Sequence, residues 1–120
     1  MNVEHDALLI RCAEACGACA AECERLLKAQ TAHRPATQRY TVEQIAFLTC
    51  ADVCRSTEAA ARERRPRLAD ICEWCADVCA TLEAQFRLGD ALMRLCARCG
   101  EHCSELAELL RGAAMIVGKP

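Results

Sequence analysis

The chain is poor in aromatic residues: one Trp, one Tyr and two Phe make up 3% of its 120 positions. That excludes a core organised around large rings, so with 53% hydrophobic content the interior must be built from Leu, Ala and Cys. Helix breakers are also scarce, with three Pro and five Gly, which suits long uninterrupted helices. There is no excess of basic charge: 15 Lys and Arg stand against 17 Asp and Glu, a net charge of −2. No basic stripe is left to recognise nucleic acid. No apolar run approaches the ~20 residues that cross a bilayer, so no membrane partner is expected. The start, Met1-Asn2-Val3-Glu4-His5-Asp6, has no basic segment leading into an apolar run, which argues against a secretory signal. The expectation is a cytoplasmic, reducing setting, where cysteine clusters mean metal or redox chemistry more often than disulfides.

Cysteine is the residue in excess. Twelve of 120 positions, 10%, fall in the range that marks a disulfide or metal scaffold. The length suits one domain, residues 1–120.

The helical reading gives four segments, about 3–30, 42–64, 66–88 and 91–111, followed by a tail, 112–120. In the first, Leu8, Leu9, Cys12, Cys16, Cys19, Cys23 and Leu26 recur at spacings of one, three or four. A polar stretch around His33-Arg34-Pro35 forms the longest connection. Thr41 with Gln44 makes a capping-box pattern for the second helix. Pro66 suits the first position of the third. Gly89 suits the end of the third helix, and Gly112 the end of the fourth after an Asp90 cap. Two very short connections force antiparallel neighbours. The predicted fold is therefore all-α: an antiparallel up-down-up-down four-helix bundle with a cysteine-lined core. The tail carries Met115-Ile116-Val117, which would pack on the bundle or on another subunit.

Cys50-Ala51-Asp52-Val53-Cys54 and Cys75-Ala76-Asp77-Val78-Cys79 spell the same five residues. The pattern C-x2-C-x3-C recurs at Cys16/Cys19/Cys23, Cys72/Cys75/Cys79 and Cys96/Cys99/Cys103. At 100° per residue, Cys12, Cys16, Cys19 and Cys23 share an arc roughly 60° wide, and each later run does likewise. Glu14, Glu22, Arg25 and Lys28 lie on the opposite face of the first helix, and Arg55, Arg62 and Glu63 on that of the second. All twelve thiols are thus expected on one axial channel. Leu26, Phe47, Leu82, Phe86 and Leu92 should gather as an apolar plug at one end. His5, seven residues before Cys12, marks the other end, expected to be the more accessible.

Twelve cysteines in seam positions are too many for packing residues alone, since Ala or Leu fills a core without the oxidation hazard. Disulfides between residues one turn apart are disfavoured, because their Cβ atoms stand ~5–6 Å apart where a bridge wants ~3.5–4.5 Å. Thiolate clusters select Cu(I), Zn(II) or iron–sulfur centres. Zinc sites are usually assembled from knuckles and turns, and iron–sulfur clusters from irregular loops, whereas the spacing here is helical throughout. Cu(I) needs only two or three soft ligands, so multiple Cu(I) ions, about a dozen, fit the channel best. A zinc or iron–sulfur bundle, or a structural helical oligomer with packing cysteines, is the alternative. His5 is the one histidine on the cysteine face and is a further candidate ligand. His33 falls in the loop, and His102 is turned about 100° from Cys103 toward the surface or a subunit. Met93, one turn before Cys96, is a core residue or a soft thioether donor. No nucleophile, base and orienting group stand together, so no catalytic activity is expected.

The run Cys12/Cys16/Cys19/Cys23, the two C-A-D-V-C units and the C-x2-C-x3-C runs of the last two helices are similar to those of the copper storage proteins, over about residues 5–106. That resemblance implies storage of Cu(I) inside a four-helix bundle through Cys thiolates. It also implies copper sequestration and homeostasis, a homotetramer or other homo-oligomer, and exchange with a copper donor or acceptor protein. Cytosolic members of that family often extend the cysteine ladder where this chain has Leu82, Phe86, Gly89 and Leu92.

Overall fold

Each helix starts or stops for a local reason. The computed structural model describes residues 3–118, with side chains through residue 112. Helix α1 spans Val3–Thr31, and Thr31 closes it by donating its hydroxyl to the Leu27 carbonyl at 2.8 Å. The connection to the next helix is steadied by the Arg34 guanidinium, 4.2 Å from the Tyr40 ring centre. Helix α2 spans Val42–Glu63 and opens on a complete capping box. The Gln44 backbone N–H donates to Thr41 Oγ1 at 3.1 Å, and the Thr41 backbone N–H to Gln44 Oε1 at 3.0 Å.

Helix α3 spans Leu68–Gln85, shorter at both ends than the expected 66–88. Pro66 does not begin it. Arg64, at φ 52°, caps α2 in the left-handed region, and Arg67, at φ 64°, precedes α3 in the same region. The chain reversal therefore uses residues 64–67, and Pro66 serves the turn. At the far end Phe86 becomes extended (φ −131°, ψ 149°), so Gly89 does not cap α3. Leu88 is instead turned into the core as a buried residue outside any helix. Gly89 offers its carbonyl to the Met93 N–H at 2.9 Å, in the first turn of α4.

Helix α4 spans Asp90–Gly118, so Gly112 does not end it. A glycine inside a helix costs only about 1 kcal/mol, and Ala113 and Ala114 resume with the best helix former. Residues 112–118 are thus helix rather than tail. The packing expected of Met115, Ile116 and Val117 lies outside the described side chains.

The four helices form an antiparallel bundle 59 Å long and 25 by 21 Å across. Each packs against two neighbours, α1 on α2 and α4, and α3 on α2 and α4. Among the described residues no helix backbone approaches its diagonal partner. Buried side chains fill the axis between them, with Phe47, Leu82 and Leu92 at one end, as expected, and half-buried Leu26 and Phe86 beside them. The charged faces look outward and join neighbouring helices. Arg55 pairs with Glu24 across α1 and α2 at 2.7 Å, and Arg111 with Asp70 and Glu73 across α3 and α4 at 2.9 and 2.8 Å. Such exposed pairs contribute little each. Gly17 makes room for Glu58, which pairs with Arg55 and Arg62 along α2: a Cβ there would lie 2.6 Å from Glu58 Oε2.

Leu106 is fully buried beside the axis of α4. Leu106→Ala should destabilise the metal-free protein by about 2–5 kcal/mol, read by urea denaturation. A loss below about 0.5 kcal/mol would mean that this end of the bundle is not packed.

Candidate metal centre

The side chains that meet on the bundle axis are sulfurs. All twelve cysteines are buried, none more than 1% exposed, and all are free thiols. Helix α1 supplies Cys12, Cys16, Cys19 and Cys23; α2 supplies Cys50 and Cys54. Helix α3 supplies Cys72, Cys75 and Cys79, and α4 supplies Cys96, Cys99 and Cys103. The three-and-four spacing keeps each set on one face, and the square arrangement turns all four faces to the same line.

Sulfurs meet even across the diagonals where backbones do not. Cys12 and Cys72 Sγ are 3.9 Å apart, Cys16 and Cys75 4.0 Å, and Cys54 and Cys99 3.9 Å. Neighbouring helices bring Cys12 to 3.6 Å from Cys103, Cys54 to 3.7 Å from Cys75, and Cys19 to 3.6 Å from Cys96.

Four groups of ligand atoms lie within 4.8 Å of one another. In order along the axis they are Cys12/Cys72/Cys103, Cys16/Cys75/Cys99/Cys103, Cys54/Cys75/Cys79/Cys99 and Cys19/Cys50/Cys54/Cys79. Each group shares sulfurs with the next: Cys103, then Cys75 and Cys99, then Cys54 and Cys79. The result is one continuous column rather than separate sites. Cys96 and Cys23 extend it through their interactions with Cys19.

Within this column the thiols divide their protons unevenly. Hydrogen bonds from Cys103 foremost, then Cys16, hold Cys75 well below the usual thiol range. Those from Cys23 foremost, then Cys50, do the same for Cys19. Cys99 is lowered to about 7, Cys103 being the leading cause. The thiols on the donating side move the other way: Cys103 is pushed up chiefly by its bond to Cys12, and Cys23 by its bond to Cys19. Burial raises all of them, because a thiolate in this core is solvated only by its neighbours' S–H groups. Cations can replace those protons at every level of the column.

Both ends of the column are closed. The expectation of freer access near His5 is corrected by Leu8, Leu68, Leu106 and Ala107, which are buried one turn beyond Cys12, Cys72 and Cys103. With α4 antiparallel to α1, leucines from three helices converge there, a meeting that inspection of each helix singly does not reveal. Thr57 joins this end with its buried hydroxyl satisfied by the Val53 carbonyl at 2.8 Å.

The histidines and Met93 stand apart from the column. His5 is in none of the four groups, and Leu8 and Leu9 intervene over about 10 Å of helix before Cys12. His33 is exposed. His102 is half-buried in a groove of about 460 Å³ between α1 and α4, with Arg11, Glu14 and Arg98. Its Nδ1 lies 3.6 Å from Glu105 and has no hydrogen bond. Met93 is 46% exposed, so it is neither core nor ligand; α4 turns it outward one step from the seam.

A helical bundle enclosing a column of interlocking thiol groups defines a thiolate metal-binding protein. The chain matches the family model described as copper storage protein over residues 3–114, and it belongs to that family. Its twelve clustered, buried cysteines fit copper held by thiolates within the bundle. Among curated proteins and among solved structures there is no match to the chain. No helix among the described residues is long and apolar enough to cross a membrane.

With both ends closed, the folded, metal-free protein should react slowly with an aromatic disulfide reagent. Full labelling of the twelve thiols is expected only after denaturation. Fast labelling of several thiols in the native state would contradict the sealed column.

Proposed function

We propose that the protein stores copper as Cu(I), with many ions per chain bound by Cys12, Cys16, Cys19, Cys23, Cys50, Cys54, Cys72, Cys75, Cys79, Cys96, Cys99 and Cys103. The observation that carries this reading is the sharing of sulfurs between consecutive groups along the axis. A thiolate that belongs to two groups can bridge two ions, and Cu(I) accepts the low coordination number that such sharing leaves. On that basis the capacity is on the order of one ion per cysteine, about a dozen. The ligand set proposed is confined to cysteine: Cys23 and Cys96 adjoin the column through Cys19, whereas His5 lies outside every group with Leu8 and Leu9 between it and Cys12.

The chemistry is exchange, not catalysis. Each incoming ion displaces thiol protons and passes between sulfurs about 4 Å apart, so the column serves as both site and path. The role is sequestration, which keeps a reactive ion away from other thiol proteins. An iron–sulfur cluster fits poorly, since sulfurs 3.5–4.0 Å apart in a sealed core leave no room for inorganic sulfide between them. The reading includes a reducing, cytoplasmic setting, which keeps free thiols competent. It also includes exchange with a copper donor or acceptor protein, and assembly into a homo-oligomer such as a homotetramer. Exposed Trp74 and Ile45, at 56% and 51%, support such an assembly.

Anaerobic titration of the reduced protein with Cu(I) against a chromogenic chelator should show tight uptake of many ions per chain. Replacing the cysteines by Ser should abolish it, whereas uptake of none or one by the unaltered protein would refute storage. Loading should also raise the midpoint of thermal unfolding, because binding to the native state alone stabilises it by mass action. Apparent affinity should rise with pH, as proton competition falls, by up to about tenfold per unit for each proton displaced. An affinity independent of pH between 6 and 8 would show that protonated thiols are not the ligands.

A further inference from the structure

The four thiol groups are not equivalent in shape. In Cys54/Cys75/Cys79/Cys99, four of the pairs are 3.7 Å (54–75), 4.0 Å (54–79), 3.9 Å (54–99) and 3.7 Å (75–99) apart. In Cys16/Cys75/Cys99/Cys103, the distances are 4.0 Å (16–75), 3.5 Å (16–99), 3.5 Å (16–103) and 3.7 Å (75–99). A tetrahedral ion with metal–sulfur bonds of about 2.3 Å needs sulfurs about 3.8 Å apart along every edge. In both central groups four of the six edges lie within about 0.3 Å of that figure, and the other two are within 4.8 Å. The outer groups are less regular: Cys12/Cys72/Cys103 offers three sulfurs, and in Cys19/Cys50/Cys54/Cys79 the pairs 50–54 and 54–79 are 3.9 and 4.0 Å apart while Cys19 lies 3.6 Å from Cys96, outside the group.

The two central groups also share one edge, Cys75 and Cys99. We propose that the middle of the column is a dinuclear site for a tetrahedral divalent ion, Zn(II), occupied when copper is absent. Cys16 and Cys103 are the terminal ligands of one ion, and Cys54 and Cys79 those of the other. Cys75 and Cys99 bridge the two. Every position is closed by sulfur, so the site is structural and offers no place for a reacting water. With both ions bound all six sulfurs are thiolates, the protons still on them having passed to solvent, and two dications against six thiolates leave the pair with a charge of −2. The ions remain in the same oxidation state throughout. Zinc would hold the central thiols as ligands, shielded from oxidation, until the softer Cu(I) displaces it. This inference rests on the reading that the core thiols are metal ligands and goes beyond it in the ion, its number and its place.

The test is anaerobic titration of the reduced, copper-free protein with Co(II), which reports tetrahedral thiolate coordination by its intense visible and charge-transfer bands. The bands should grow linearly to about two Co(II) per chain and be bleached by the same amount of Zn(II). Cys75→Ser and Cys99→Ser should each lower saturation to one ion or fewer, while Met93→Leu, on the outer face of α4, should leave it unchanged. Helical circular dichroism of each variant establishes that it is folded. Saturation well below two in the unaltered protein overturns the proposal, as does unchanged saturation in both bridging variants. Cu(I) uptake measured on the same samples separates the two readings. Copper bound without Co(II) sinks the zinc site alone, and neither metal bound sinks the thiol-ligand reading with it.

Discussion

In a square four-helix bundle the diagonal helices do not touch, so something must occupy the line between them. Here that space is filled by the shortest side chain that ends in a large polarisable atom. Cysteines from all four helices reach the axis, and their sulfurs lie 3.5–4.0 Å apart, in van der Waals contact. This one arrangement sets much of the rest. The cysteine faces must stay turned to one line, and the charged side chains are confined to the outer faces. The ends need leucine and phenylalanine, because only there does the axis lack sulfur to fill it.

The same arrangement explains how the fold stands without metal and yet binds it. Close packing of thiols with leucine layers at both ends gives a dry interior in the protonated state. Ionising those thiols without a cation would leave unscreened charge in that interior. Metal binding therefore displaces the protons that the thiols share and neutralises the thiolate charge in one event. Sharing of sulfurs between neighbouring groups then turns individual sites into a continuous store. The leucine layers mean that ions must pass between side chains at one end or between helices, through local opening of the bundle.

Much of this was legible in the residues. The three-and-four spacing of Cys12, Cys16, Cys19 and Cys23, repeated on later helices, identified the inward face and the soft-metal chemistry. The Thr41 and Gln44 pair identified the start of α2. The helix ends were read less well. Pro66 and Gly89 are compatible both with helix termini and with turns, and the turn won at each because Arg67 and Phe86 take backbone conformations that local propensity does not forecast. Gly112 looked like a stop, but the residues after it favour helix strongly enough to carry α4 to Gly118.

What the sequence by itself determined is the orientation of each helix about its own axis, because a 3.6-residue repeat is a property of one helix alone. That was enough to place every cysteine inside and to name the family of metals they suit. Which sulfurs meet was decided only in the tertiary structure. Contacts such as Cys12 with Cys72 and Cys54 with Cys99 depend on how far each helix slides along its neighbours, and on the turns that set that slide. The same sliding brought Leu8, Leu68 and Leu106 together over the end that His5 seemed to leave open. Periodicity specifies rotation about an axis, whereas register along it comes from packing between helices.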